Sequence, residues 1–352
     1  MVAPLHHLRA VDDTRDEVEA LVARSAGRVA LGDLLDDLPR RLRRTWAPGR
    51  AVHEAWRFDA ADQRSLRWWP QGVSTAADAG EAGLGGLPPE ARGRRLAVMT
   101  SYAKTLPWHR GEHGSRVAFL DLDAGRYRHV LLVRPKADGT LEPLHVHAGG
   151  VVWLGEHLHV AATGRGLFTC RLDDVLRVRS ATDAFGYRYV LPVRRQYRAA
   201  ADGGAEGFRY SFCSLDRATD PPTVMVGEYS NDPARTRRLA RFPVDDTTGL
   251  LETGPDDRTL LEPLGDGPLR MQGAVRARGR LHLSVSEGRL VPGSVWTGTA
   301  GDLRHHRWAT PMGNEDLACS PAASPADDLL WSVSEHPTAR WLFSMRRAWF
   351  DR

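Results

Sequence analysis

Long apolar runs are missing from this sequence. No stretch approaches the roughly 18 consecutive apolar residues a bilayer span needs, so an α-helical membrane protein is excluded. Cysteine is scarce as well: Cys170, Cys213 and Cys319 are three, an odd number that cannot close a disulfide set. Each lies in an apolar, strand-like run, where a buried reduced thiol is expected, and no His neighbour in sequence marks one as a nucleophile. Neither sign of charge is in large excess. The 48 Lys and Arg interleave with 44 Asp and Glu for a formal charge of +4, so no nucleic-acid partner is expected. The N-terminal stretch MVAPLHHLRAVDDTRDEVEALVARSAG lacks the apolar core of roughly 7–15 residues that a secretory leader carries, which makes a cytoplasmic location the expectation.

What is present is a folded composition, 42% hydrophobic and 26% charged, on 352 residues. That length exceeds one ordinary core and calls for two domains or one large closed architecture. The first fifty residues read as helical. Asp12, Asp13 and Thr14 supply helix-start chemistry before Val18, Leu21 and Val22, and Gly27 stops that run. Leu31, Leu34, Leu35 and Leu38 make a second stripe leading into Arg40, Arg41, Arg43 and Arg44, which read as a solvated helix face. Residues 1–50 are therefore expected to be a short α-helical extension, a candidate surface for a protein partner.

From Ala51 onward the texture changes to short β-rich runs separated by Gly, Pro, Asp and Asn. These runs repeat. RLHLSVSEG (280–288) resembles LLWSVSEHP (329–337), and LHVAATGRG (158–166), LAVMTSYAK (96–104) and TVMVGEYSN (223–231) share their shape. Each follows another strand-like run, starting near residues 70, 147, 208, 271 and 314, so five hairpins are expected. Glycines open three of the first strands, as in Gln71-Gly72, Gly149-Gly150 and Gln272-Gly273, which suits strands crowded around a shared axis. With a third and fourth run per unit the pattern predicts an all-β, five-bladed β-propeller over residues 51–352. The last unit has only three runs, and residues 52–59 would supply its missing strand and close the ring.

The elements WWPQGV, HAGGVVWLGEHLHVAATGRGLF, FGYRYVLP, YSFCSLDR, VGEYS, MQGA, LSVSEG, NEDLA and LWSVSEHPTARWLF resemble a family of actinobacterial propeller proteins, mostly described as secreted or hypothetical. The resemblance covers roughly residues 68–346. It implies the propeller fold and supplies no activity; the helical segment at the start of this chain departs from the family pattern.

In a hairpin the start of the first strand lies beside the end of the second, so those positions from all five units should form one rim. The rim is polar, and a small-molecule site in an axial funnel follows. His147, Glu315 and Glu228 are the candidate catalytic groups, because a His and a carboxylate brought together can act as base and acid. Gln71, Gln272, Trp69, Tyr102, Asp316, Glu335 and His336 are the candidate substrate-binding groups, with Trp68 and Trp108 as further wall. The HxH pairs His145/His147 and His157/His159 fall at opposite ends of one hairpin, which disfavours a histidine metal site. No cofactor is assigned, and a single central calcium or magnesium held by carboxylates from several blades is left open. GLGG at 83–86 lacks the Lys-Ser/Thr of a phosphate loop and reads as linker.

The expected function is an acid–base enzyme acting on a small polar molecule, of hydrolase, lyase, isomerase or cyclase type. The alternatives are a non-catalytic carbohydrate- or metabolite-binding propeller, or a scaffold whose N-terminal helices recruit a protein.

Overall fold

The chain is all-β with a few short helices. The computed structural model describes residues 6–11, 13–80, 87, 89–106 and 114–352; Trp108 and the 83–86 linker lie outside these. The N-terminal segment holds β1 (His6–Val11), α1 (Arg15–Arg24), α2 (Leu31–Asp36), β2 (Arg40–Arg41), β3 (Arg43–Thr45), β4 (Val52–Arg57) and α3 (Ala60–Arg64). Four-stranded antiparallel groups follow. The first is β5 (Trp68–Thr75), then α4 (Ala76–Ala79), β6 (Leu96–Ala103), β7 (Ser115–Asp121) and β8 (Arg126–Pro135), with short β9 (Leu141–Pro143) on its outer edge. The second is β10 (Ala148–Leu154), β11 (His157–Ala162), β12 (Gly166–Arg171), short β13 (Leu176–Arg177) and β14 (Tyr189–Ala201). Its last strand meets β8 in parallel, which merges these two groups into one sheet. The third is β15 (Phe212–Asp216), β16 (Thr223–Gly227), β17 (Arg238–Pro243), then β18 (Arg258–Leu260), which pairs with β1, and β19 (Glu262–Asp266). The fourth is β20 (Met271–Ala277), β21 (Arg280–Val285), β22 (Ser294–Thr299) and β23 (Asp302–His306). The last is β24 (Asn314–Ser320), β25 (Leu329–Ser334) and β26 (Trp341–Arg346), with β4 antiparallel to β26 from Trp341↔Arg57 onward.

The first strands adjoin one another in cyclic order, β5 to β10 to β15 to β20 to β24 and back to β5. The crowding there is extreme. A Cβ on Gly72 would stand 2.5 Å from the Gly150 carbonyl carbon, one on Gly150 2.2 Å from the Cys213 amide nitrogen, and one on Gly273 2.6 Å from the Asp316 Cα. These are backbone contacts between neighbouring first strands, so only glycine lets them approach. Gly150→Ala should lower the unfolding free energy by about 3 kcal/mol or abolish soluble folding, because the atoms it meets are backbone and cannot rotate away. Chemical denaturation measures it, and wild-type stability would refute the crowding argument.

Between groups the cores are apolar and tightly closed. Trp153, Phe168, Phe119 and Tyr189 pack with aliphatic residues of the first two groups, and Trp56 stacks on Trp331 at 5.6 Å where the ends of the chain meet. Each such buried side chain contributes about 1.5–3 kcal/mol by leaving water. Cys170, Cys213 and Cys319 are buried free thiols in these cores.

The N-terminal segment corrects the expectation of a helical extension. Among the described residues of its first fifty, only Arg15–Arg24 and Leu31–Asp36 are helices, and β1 is a full strand between β14 and β18, with Leu8 in the core. The basic run after Leu38 is two edge strands, β2 on β8 and β3 on β4, rather than a helix face. The apolar stripes of α1 and α2 are themselves consumed: Val18, Leu21, Leu31, Leu34 and Leu35 are buried against the sheets. Among the described residues no helix is long and apolar enough to cross a membrane.

Candidate active site

Four of the first strands carry a register shift near their start: between Pro70 and Val73, Ala148 and Gly150, Met271 and Gly273, and Asn314 and Leu317. A bulge leaves its extra residue unpaired and re-aims the side chain. The residues in these gaps include Gln71, Gln272 and Glu315, and all three line one polar cavity of about 740 Å³. The ends of the second strands complete it with Tyr102, Lys104, Thr163, Tyr229 and Glu335, and His147 and Ser211 stand just before their first strands.

Two carboxyls dominate the electrostatics. Glu315 is buried, and its oxygen accepts from Gln272 Nε2 at 3.2 Å. Burial first, then the neighbouring charges of Glu335 and Asp316, push its pKa well above the usual carboxylate range, against the pull of Lys104. Glu335 accepts from Gln71 Nε2 at 3.1 Å; burial raises it to about 7 against Lys104, that hydrogen bond and Arg340. Both carboxyls therefore hold their protons to higher pH than an ordinary glutamic acid, Glu335 to about 7.

A hydrogen-bonded chain runs behind Glu335. Gln71 Oε1 accepts only, so the 2.8 Å contact assigns the proton to His147 Nε2, and His147 donates to Gln71, which in turn donates to Glu335. Although the residue is exposed overall, desolvation around its ring, helped by Lys104, lowers His147 to about 4, so the ring is neutral at pH 7. Its ring lies 4.1 Å from that of Tyr102. The Lys104 ammonium sits 3.0 Å from the Trp69 ring centroid, and burial lowers its pKa against the pull of Glu335 and Glu315.

The expected residues divide clearly. Gln71, Tyr102, His147, Gln272, Glu315 and Glu335 come together in the cavity. Trp69 and His336 are not part of the cavity lining; their rings lie 5.8 Å apart, and His336 Nδ1 is 3.5 Å from Glu335 Oε1. Trp68 is covered by the Arg116 guanidinium. Asp316 is a correction. Its neighbour Glu315 points into the cavity, while Asp316 turns toward the backbone and accepts from the amides of Leu317 at 2.9 Å and Val73 at 3.4 Å, tying β24 to β5.

Glu228 is the second correction. It is fully buried and outside the cavity lining, and its carboxylate is spent on Arg238, through Nε at 2.9 Å and Nη2 at 2.8 Å, and on the amides of Arg209 and Arg238. Burial opposes its ionisation, but those donors hold the pKa at about 2. Glu228→Gln should cost about 2–3 kcal/mol of stability with the cavity chemistry intact. Loss of turnover with unchanged denaturation midpoint would reverse that assignment.

No protein-family model and no curated protein matches the chain. Among solved structures it is similar to a GH43_1 enzyme from Xanthomonas citri complexed with xylotriose, at 10% identity over 94% of this chain and 92% of that one, with a TM-score of 0.36. It is also similar to CoXyl43, a GH43 β-xylosidase/α-arabinofuranosidase from a compost microbial metagenome, at 9% identity over 85% and 94% of the two chains, TM-score 0.38. A third is RS223 β-xylosidase, at 10% identity over 79% and 92%, TM-score 0.37. Similarity at this level leaves the chemistry to be read from the side chains.

Several cavity residues were not among the expected ones: Lys104, Ser230, Asn231, Asp232 and Arg235. Lys104 was within reach of sequence reasoning, since strand alternation puts it on the same face as Tyr102. The other four lie in the loop after β16, whose path no periodicity encodes. Among the described residues no group of three or more His, Cys, Asp or Glu converges as a metal set, so the central cation has no donor ring of that kind. The histidine pairs are likewise separated: His159 is bonded to Thr169 and the Gly249 carbonyl, far along the hairpin from His147.

Proposed function

We propose that the five strand groups are the blades of a β-propeller closed by β4, and that its axial cavity is the active site of an acid–base enzyme acting on a small polar molecule. Glu335 is the base: ionised, it takes a proton from a bound hydroxyl, water or activated C–H. Glu315 is the acid, and gives its proton to the atom on which negative charge develops. Gln71 and Gln272 each fix one carboxyl, His147 is a positioning residue that holds Gln71 in the orientation Glu335 needs, and Lys104 stabilises charge as it forms. The observation that carries this reading is a buried carboxyl, Glu315, and a half-buried one, Glu335, lining one open polar cavity, both held above the ordinary carboxylate range by their surroundings.

The experiment is a screen of the wild-type protein against small polyols and aryl glycosides, with Glu335→Gln and Glu315→Gln as paired variants. Turnover lost in both variants with binding retained supports the enzyme. A compound bound by wild type and both variants but converted by none favours the non-catalytic binding propeller, and turnover retained in Glu335→Gln refutes the assignment.

A further inference from the structure

A second cavity, of about 640 Å³, lies at the junction of the N-terminal segment with the last strand group and is unrelated to the carboxyl pair. Six arginines line it, Arg40, Arg41, Arg43, Arg44, Arg57 and Arg64, against one carboxylate, Asp59. Two of the six are already neutralised. Arg40 is paired with Asp59 at 2.7 Å and Asp62 at 3.3 Å, and Arg44 with Glu54 at 2.6 Å. The remaining four have no carboxylate partner among the described residues. Arg57 donates to the Thr338 carbonyl and Arg64 to that of Ala60, while Arg41 and Arg43 have no side-chain hydrogen bond there.

The strand registers sharpen the imbalance. Arg43 stands directly opposite Arg57 across β3 and β4, and Arg41 directly opposite Arg126 across β2 and β8. Like charges facing one another across a strand pair destabilise it. An ordinary solvated face would interleave acids, as the rest of this chain does. Here both edge strands of the closing segment place arginine opposite arginine, and three of those four, Arg41, Arg43 and Arg57, line the groove, an arrangement that a bound anion would relieve. Guanidinium forks match phosphate oxygens two at a time, and four uncompensated charges suit a ligand with about three to four negative charges, which a diphosphate carries and a single carboxylate does not.

We propose that this groove binds the diphosphate group of a small phosphorylated ligand, through Arg41, Arg43, Arg57 and Arg64. Because β2 pairs with the first strand group and β3 with the last, the bound anion braces the segment that joins the two ends of the chain.

The test uses the full chain and inorganic pyrophosphate at constant ionic strength, read by calorimetry and by melting temperature. Wild type is expected to bind at one saturable site and to gain several degrees at concentrations well above Kd. Arg41→Gln/Arg43→Gln should weaken binding by at least tenfold, while Arg235→Gln, in the other cavity, should bind like wild type. In buffer free of multivalent anions the double variant should be at least as stable as wild type, since it removes both repulsive pairings. That reading confirms that it folds. Absence of saturable binding, equal affinity in the double variant, or an equal stabilisation by sulfate would overturn the proposal. A double variant less stable than wild type without anion would overturn it too, because the arginines would then be structural.

Discussion

Glu335→Gln is expected to lower turnover by about 10²–10⁴-fold, the range a positioned general base contributes, while raising stability at alkaline pH. The two effects share one cause. Folded Glu335 keeps its proton up to about pH 7, whereas an ordinary glutamic acid releases it near 4.5. Between those values the folded state binds more protons than the unfolded one, so its stability falls as the pH rises, and above pH 7 the full cost of ionising this half-buried carboxyl is present. The amide cannot ionise and can still accept from Gln71, so at pH 8 the variant should be more stable than wild type by about 1–3 kcal/mol. At pH 4 the difference should vanish. A merely structural Glu335 would instead lose stability on substitution, so activity and urea denaturation at the two pH values separate the readings.

Asp62→Ala is expected to produce the largest loss of stability of any single surface-distant polar change, about 3–5 kcal/mol, with a fall in melting temperature of roughly 10 °C. Asp62 lies on α3, which Asp59 caps by accepting its amide at 3.0 Å. Its carboxylate accepts from Arg116 at 2.8 Å, Tyr127 at 2.6 Å and His129 at 2.8 Å, and its carbonyl accepts from Arg340. Arg340 in turn donates to the Glu335 carbonyl at 2.8 Å, so this one residue joins the first strand group to the last and to the site. Alanine would leave the Arg116 guanidinium buried without a counter-charge. Although burial opposes ionisation, His129, Arg116 and Arg40 together hold the Asp62 pKa far below 3.8. Its contribution is therefore present above about pH 4 and lost as the pH falls below that. Equilibrium unfolding of the two proteins should converge in acid, and a constant difference across pH would show that packing, not charge, is responsible.

Much of the site was legible because it depends on two short-range rules. Hairpins return their second strand to the starting face, and alternation fixes which residues share that face; together these put Gln71, Tyr102, His147, Gln272, Glu315 and Glu335 around one hollow. The glycines at 72, 150 and 273 were readable for a similar reason, since close backbone approach tolerates little else. What failed depends on partners distant in sequence. Glu228 has the rim position but is captured by Arg238, ten residues on and across the β16 to β17 register. Asp316 shares the bulge of β24 with Glu315, yet its carboxylate is taken up by the amides of Leu317 and of Val73 on the neighbouring first strand. The Arg40–Arg44 run follows a leucine stripe and so looks helical, yet becomes edge strand because β8 and β4 offer free edges for it to pair with.

The central claim is that the cavity holds a carboxyl poised near neutrality beside a second one raised well above the ordinary carboxylate range. The most direct measurement is a carbon-13 NMR titration of side-chain carboxyls in glutamate-labelled protein, with Glu335→Gln and Glu315→Gln spectra supplying the assignments. The account predicts one glutamate titrating near pH 7 that disappears in Glu335→Gln, and a second, assigned by Glu315→Gln, that titrates well above the ordinary range. Both carboxyls titrating near 4.5 would contradict it.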